Sequence, residues 1–433
     1  MNVYEDIIDC WGTVGPATIV DFQKPWRLFF WSKVNGYGPC WDLGKDVWFS
    51  PLGMETLSAS DDRECYEPMS DIGNKYAKVN VIAAGDAMTR IHWHYALCNT
   101  RHQIFHGNTT ADEFYCLYPD GIGVRRAVLW PGDQSDFGGN TRLWSLTEWL
   151  LINGPGTTPD ANLVPDKAFT LRNLADDKIE IPWPPPEDWA RLCQTRPQIA
   201  TWDEYIGVVN VKNRPSPFIA IANNRALFPH PACSGCQKDH LEIFAGSQMS
   251  YRHWPIYDRP YMGYIPAQDA LGKVPTHTAL GMAGTFVPAL PLARPTTFLS
   301  MIGASQDPSS SQLTDMVASW LHPAVIQSPP GLAGLPTGDS AGLTPYLGYA
   351  RADRAYTFVV DNDELTFLIK PNVKVVNPVF RIDGWKHPRV NIRMNGATLD
   401  RSAYESQLDD GTLVIWINRN IEQPTEMKIV EDR

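Results

Sequence analysis

Hydrophobic and polar residues alternate with a period of two along most of the chain. ATIVDF (17–22), WRLFFW (26–31), AKVNVIAA (77–84), FIAIA (218–222), AYTFVV (355–360), LTFLI (365–369), VNIRM (390–394) and TLVIWI (412–417) are short β-branched or aromatic runs bounded by Gly, Pro, Asn and Asp. That pattern predicts strands. EFYCLYPDGIGVRRAVLW (113–130) predicts a hairpin closed at Pro119-Asp120-Gly121, since Asp-Gly suits a tight turn. Helical spacing is scarce. In SSQLTDMVASWL (310–321), Leu313, Met316, Val317, Trp320 and Leu321 recur at three- and four-residue intervals after capping serines, which predicts one amphipathic helix. PEDWARLCQ (186–194), after a rigid proline loop, predicts a turn or two more.

The expected class is all-β with very little helix: a large antiparallel sandwich followed by a small β domain. SPPGLAGLPTGDSAGLTP (328–345) is rich in Gly and Pro without periodicity and reads as a linker. It divides the chain into a large sandwich over 1–327, expected to be the catalytic part, and a small sheet or sandwich of about six strands over 346–433. No internal repeat points to a propeller or solenoid.

Composition narrows the function. The 433 residues carry a net charge of −11, which argues against a nucleic-acid partner, since phosphate recognition needs a basic stripe. No apolar run approaches the ~20 residues of a membrane span. There is no phosphate-binding loop or dinucleotide fingerprint, so no nucleotide cofactor is expected. Gly338–Gly342 matches G-x-S-x-G but lies in the linker, without a nucleophile's strand–turn–helix setting. Eight cysteines are spread along the chain and do not form a disulfide scaffold. The sixteen tryptophans, sixteen tyrosines and sixteen phenylalanines suit a sheet core, and equally the stacking surfaces that sugars use. MNVYEDIIDCWG has neither the basic start nor the apolar stretch of a secretory leader. An extracellular or periplasmic location is expected only if the chain is a mature secreted form. The oligomeric state is left open.

Four clusters could carry chemistry. RIHWHYALCNTRHQIFH (90–106) holds His92, His94, His102 and His106. Alternation sets Ile91, Trp93, Tyr95 and Leu97 on a core face and His92 and His94 on the other, about 6.6 Å apart along a strand. A straight strand would carry His102 and His106 out of reach of a shared ion, so the pair reads as sugar-contacting or proton-transferring rather than metal-binding, with exposed strand histidines as the plain alternative. FPHPACSGCQKDH (228–240) spaces His230, Cys233, Cys236 and His240 as a candidate structural zinc site, against a strained disulfide or free thiols. YRHWPIYDRPYMGY (251–264) packs His253, Trp254, Tyr257 and Tyr261 into one loop, and His277 follows soon after. Tyr and His together form an acid–base pair; the alternative is a loop covering the sandwich edge. On the hairpin, Tyr118, Asp120, Arg125 and Arg126 could meet an acidic ligand. The two arginines point to opposite faces, so only one can enter a given cleft.

ADEFYCLYPDGIGVRRAVLWPG (111–132), YRHWPI (251–256) with THTAL (276–280), and NPVFRIDGW (377–385) resemble segments of carbohydrate-active β-sandwich proteins. The nearest are the supersandwich polysaccharide lyases, whose fold is related to galactose mutarotase. The resemblance implies β-elimination at a uronic acid of an acidic polysaccharide or oligosaccharide. An arginine neutralises the carboxylate, a base takes the C5 proton and an acid protonates the leaving oxygen. Arg125, or Arg126, would be the neutraliser, His253 or His92 the base, and Tyr257 the acid. His94, Tyr118, Arg126, Trp254, Tyr261 and His277 would contact the sugar. A glycoside hydrolase using two of Asp112, Glu113 and Asp120, a mutarotase-like epimerase and a non-catalytic glycan-binding protein are the rival readings.

Overall fold

A computed structural model describes the chain apart from residues 11–12, 32–35, 52, 58–64, 72–73, 100–102, 106–107, 131, 133–142, 154–156, 158, 184–201, 222–227, 231–276, 287–294, 309, 328–345, 362 and 433. All eight runs with strand alternation form strands, and the chain is all-β. The helical pattern at 310–321 forms a helix over Ser311–Leu321. The expected turns at 186–194 lie outside the described residues.

Among the described residues, two large antiparallel sheets make the first module. One has ten strands, running from Asn2–Cys10 through Val47–Ser50 and Leu143–Asn153 to His277–Phe286 and Phe228–His230. The other has nine, in spatial order Lys78–Ala84, Thr89–Ala96, Thr110–Leu117, Ile122–Trp130, Thr296–Ser305, Ser216–Ile221, Tyr205–Val209, Phe169–Arg172 and Lys178–Ile181. Their facing sides share one aromatic core. Trp31, Trp41 and Trp149 of the first sheet meet Trp93, Tyr95 and Tyr115 of the second. Phe30 packs edge-on against Tyr115 at 5.2 Å. Two of the buried indoles find the hydrogen-bond partner that burial calls for in a backbone carbonyl: Trp93 Nε1 donates to Gly36 at 2.8 Å and Trp149 Nε1 to Gly207 at 2.8 Å.

The outer side of the nine-stranded sheet is only partly covered. Helix Ser311–Leu321 lays Leu313, Met316, Val317 and Trp320 over Val124, Ile206, Val208, Phe218 and Met301. Next to the helix, the second module packs Ala355, Val379, Val414 and Trp416 on Met88, Cys116 and Tyr118. Among the described residues, what remains uncovered is one patch at each end of the sheet.

Among the described residues, the second module has two five-stranded sheets and a two-stranded one, more strands than the sequence pattern suggests. It also departs from a purely antiparallel plan: Ala355–Val359 runs parallel to Val379–Asp383. A parallel neighbour requires a crossover, and Glu364–Lys370, in the opposite sheet, provides it. The short strand Val325–Gln327 precedes the Gly/Pro stretch yet pairs with Leu368–Lys370, so this sheet begins before 328. The linker itself lies outside the described residues.

The seam between the modules is polar as well as apolar. Arg354 Nη2 donates to Asp120 Oδ2 at 2.8 Å in a buried ion pair, and its guanidinium lies 4.6 Å from the Tyr118 ring. Gln407 Oε1 accepts from the backbone of Ala87 and Met88 at 3.0 and 2.7 Å. Arg90 pairs with Asp353 at 2.8 Å.

Candidate functional site

Strand Thr89–Ala96 alternates as its sequence requires. Ile91, Trp93 and Tyr95 are fully buried, while His92 and His94 face outward, half-buried. Their rings lie 6.5 Å apart. The neighbouring strand Thr110–Leu117 pairs so that Asp112 stands opposite His94 and Phe114 opposite His92. Both imidazoles converge on one carboxylate oxygen: His92 Nε2 lies 2.6 Å and His94 Nδ1 2.9 Å from Asp112 Oδ1. The second oxygen accepts from Trp130 Nε1 at 2.7 Å. Burial pushes the Asp112 carboxyl up, but the hydrogen bonds from His92, His94 and Trp130 and the charge of His94 outweigh it, leaving its pKa below the ordinary value. An ionised carboxylate can only accept, so each histidine presents N–H to Asp112 and its other ring nitrogen has no partner among the described residues.

Phe114 ties this cluster to the next strand. Its ring stacks on His92 at 4.7 Å and 10°, and Arg126, its partner across the hairpin, holds its guanidinium 4.4 Å from the ring centroid. Among the described residues Arg126 makes no ion pair, so its charge is available to a ligand. The patch therefore combines a carboxylate-held histidine pair, a free guanidinium and two aromatic rings, Phe114 and the exposed Trp130. The donor atoms of His92, His94 and Asp112 also lie within 4.8 Å of one another. Two nitrogens and one carboxylate oxygen make a set that suits a divalent transition metal.

Two expected site residues are corrected. Arg125 does not face a cleft: its neighbour Arg126 takes the outward position, and Arg125 enters the sandwich core. There Nε and Nη2 donate to Glu113 at 2.7 and 2.5 Å, and Nη1 to the Leu146 carbonyl at 3.0 Å. Tyr95 and Tyr115 complete the carboxylate's shell at 2.7 and 2.5 Å. Every charge in this group is spent internally, so Arg125 cannot neutralise a substrate. Tyr118 is likewise buried in the seam, where its hydroxyl donates to the Asp353 carbonyl, and it cannot touch a sugar.

The other expected residues fall as follows. His277 and His230 belong to strands of the ten-stranded sheet, their backbones paired with Ile152 and Met282. His102, His106, Cys233, Cys236, His240, His253, Trp254, Tyr257 and Tyr261 lie outside the described residues. Of the three carboxylates weighed for hydrolysis, Glu113 is in the core and Asp120 is bound to Arg354; Asp112 alone faces outward. The described free cysteines Cys40, Cys98 and Cys116 are buried. Burial pushes the Cys98 and Cys116 thiols up to about 12 and about 11, which makes both poor nucleophiles.

The sequence pattern does not single out Phe114 or Trp130 and names Asp112 only as a carboxylate for hydrolysis. Alternation along ADEFYCL sets Asp112 and Phe114 on one face, a signal present in the chain. The cross-strand register that brings them to the histidines is not. Compared with known proteins, the chain matches no family model and no curated protein.

Proposed function

We propose that the protein cleaves a uronic-acid-containing polysaccharide by β-elimination on the open patch around His94, Asp112, Phe114, Arg126 and Trp130. The observation that carries this reading is a histidine pair held by one carboxylate, Asp112, beside Arg126, which stacks on the same Phe114 ring as His92 and has no ion pair among the described residues. Arg126 would hold the uronate carboxylate and stabilise the charge that develops as the C5 proton leaves. His94, whose Nδ1 faces Asp112, keeps Nε2 free to take that proton, and Asp112 orients the ring and stabilises the imidazolium formed. The C5–H electron pair becomes the C4–C5 double bond as the C4–O bond breaks. Tyr257 is the sequence's candidate for protonating the leaving oxygen. Trp130 and Phe114 offer faces on which pyranose rings stack. The absence of a second outward carboxylate beside Asp112 among the three weighed speaks against hydrolysis, which needs two.

The test is incubation with a panel of uronate polysaccharides, following the ultraviolet absorbance of the unsaturated product. The expected result is a rise that falls by about a hundredfold or more in His94→Ala and Arg126→Ala. No rise on any substrate, or full activity in both variants, would sink the proposal. New reducing ends without unsaturation would point to hydrolysis, and binding without either product to a glycan-binding module. A second reading follows from the converging donor atoms of His92, His94 and Asp112: a divalent metal there would take the arginine's role in neutralising the carboxylate. Loss of activity in chelator, restored by one metal, would select it.

A further inference from the structure

We propose that the opposite end of the same sheet face binds a small ligand bearing an oxyanion (carboxylate, sulfate or phosphate) against Arg172. This site is separate from the patch around His94 and stands whether or not that patch is a lyase centre.

Arg172 ends strand Phe169–Arg172 and points to the outer side, opposite to the core-facing Leu171. It lines a cleft of about 610 Å³, within the size range of small-molecule sites. Arg172 is 4% exposed, and a buried guanidinium is normally matched by a close carboxylate. Here it is not. Its nearest acid, Asp176, stands 3.8 Å from Nη1 and is itself largely exposed. Nε and Nη2 are buried with no hydrogen-bond partner among the described residues. Burial pushes the Arg172 pKa below its ordinary value, further than Asp176 and Asp307 restore it. Guanidinium stays protonated regardless, so a positive charge is kept out of water at a cost that the described neighbours, Asp176 and Asp307, offset only in part.

The surroundings share the sign. Lys167, Lys178 and Arg214 line the same cleft, against Asp176 and Glu180, so four cations face two anions in a chain whose net charge is −11. Arg214 spends one N–H on the Gly44 carbonyl at 2.8 Å, and burial lowers its pKa more than Asp46 and Asp42 raise it. Two incompletely neutralised arginines in one cleft of ligand size call for an anion supplied from outside. Arginine's planar fork matches the paired oxygens of a carboxylate, sulfate or phosphate. The chemistry is shared by a free inorganic anion and by an acidic sugar, and the test separates them.

Thermal unfolding of the full chain would be followed in chloride buffer of fixed ionic strength with added inorganic phosphate, sulfate or glucuronate, beside calorimetric titration of each. Stabilisation by phosphate or sulfate would identify a free or ester oxyanion, and stabilisation by glucuronate alone a sugar acid. Arg172→Met has the signature that decides. It removes an unmatched buried charge at similar volume, so the melting temperature without added anion is expected to stay level or rise, while affinity falls by about tenfold or more. Lys178→Gln, at an exposed rim position, should weaken binding by a smaller factor without touching the fold. The proposal is overturned if none of the three anions binds the wild-type chain, or if Arg172→Met and the wild type respond to them equally.

Discussion

Charge placement at single residues decides what the hairpin can do. Arg125 and Arg126 are adjacent and chemically identical, yet one is locked to Glu113 in the core and the other lies on Phe114 with no ion pair among the described residues. The same scale governs Asp112, whose net hydrogen bonding from His92, His94 and Trp130 holds its folded pKa below the ordinary 3.8. A depressed carboxyl adds stability that is complete above its unfolded pKa and is lost as pH falls through the folded value. Asp112→Asn should therefore lower stability to urea by a constant amount from neutral pH down to about pH 5. The gap to the wild type should then narrow as pH drops through and below 3.8. A gap unchanged between neutral and strongly acidic pH would refute the ionised-carboxylate account.

Among elements, the helix Ser311–Leu321 does most to shape the working surface, because it covers the centre of the nine-stranded sheet and, among the described residues, leaves both ends open. It was legible in the chain: the spacing of Leu313, Met316, Val317 and Trp320 matches the face that is buried. Trp320 is the largest side chain in that contact and also donates Nε1–H to the Arg351 carbonyl at 2.9 Å, linking the helix to the second module. Trp320→Ala is expected to cost about 3–5 kcal/mol, as deletion of a buried aromatic does, measured by denaturant unfolding. A cost under about 1 kcal/mol would mean that the helix does not hold the sheet face. The hairpin was equally legible. Gly121 has φ +78°, and a Cβ there would meet Trp26 Nε1 at 2.5 Å, so the turn residue read from Asp-Gly is also required by packing.

At the scale of the whole molecule, the two modules share buried charge. Asp120 lies at the tip of the hairpin that carries Arg126, and Arg354 lies in the second module. Asp120 also accepts from Asn377 Nδ2 at 3.1 Å. Asp120→Ala strands Arg354 in a buried position, for which the expected loss is about 3–5 kcal/mol. Because the pair spans the seam, calorimetry should show both modules destabilised together. An unchanged melting profile would contradict the role assigned to the pair. Among the described residues no helix is long and apolar enough to cross a membrane.

The chain by itself determined the eight alternating runs that form strands, the amphipathic helix Ser311–Leu321, the hairpin and the face on which His92 and His94 stand. Each depends on a local period of two or 3.6 or on turn chemistry, and these are properties of neighbours in sequence. Only the tertiary structure decided that Asp112 sits between those histidines, since the register of Thr89–Ala96 against Thr110–Leu117 is set across the connection 97–109 by packing of the whole sheet. It also decided which side of the hairpin is interior, and so which arginine is free. The pocket around Arg172 could not be read from sequence at all. Lys167, Arg172, Lys178 and Arg214 come from separate elements, and that Arg172 has no close partner among the described residues becomes visible only once those elements are brought together.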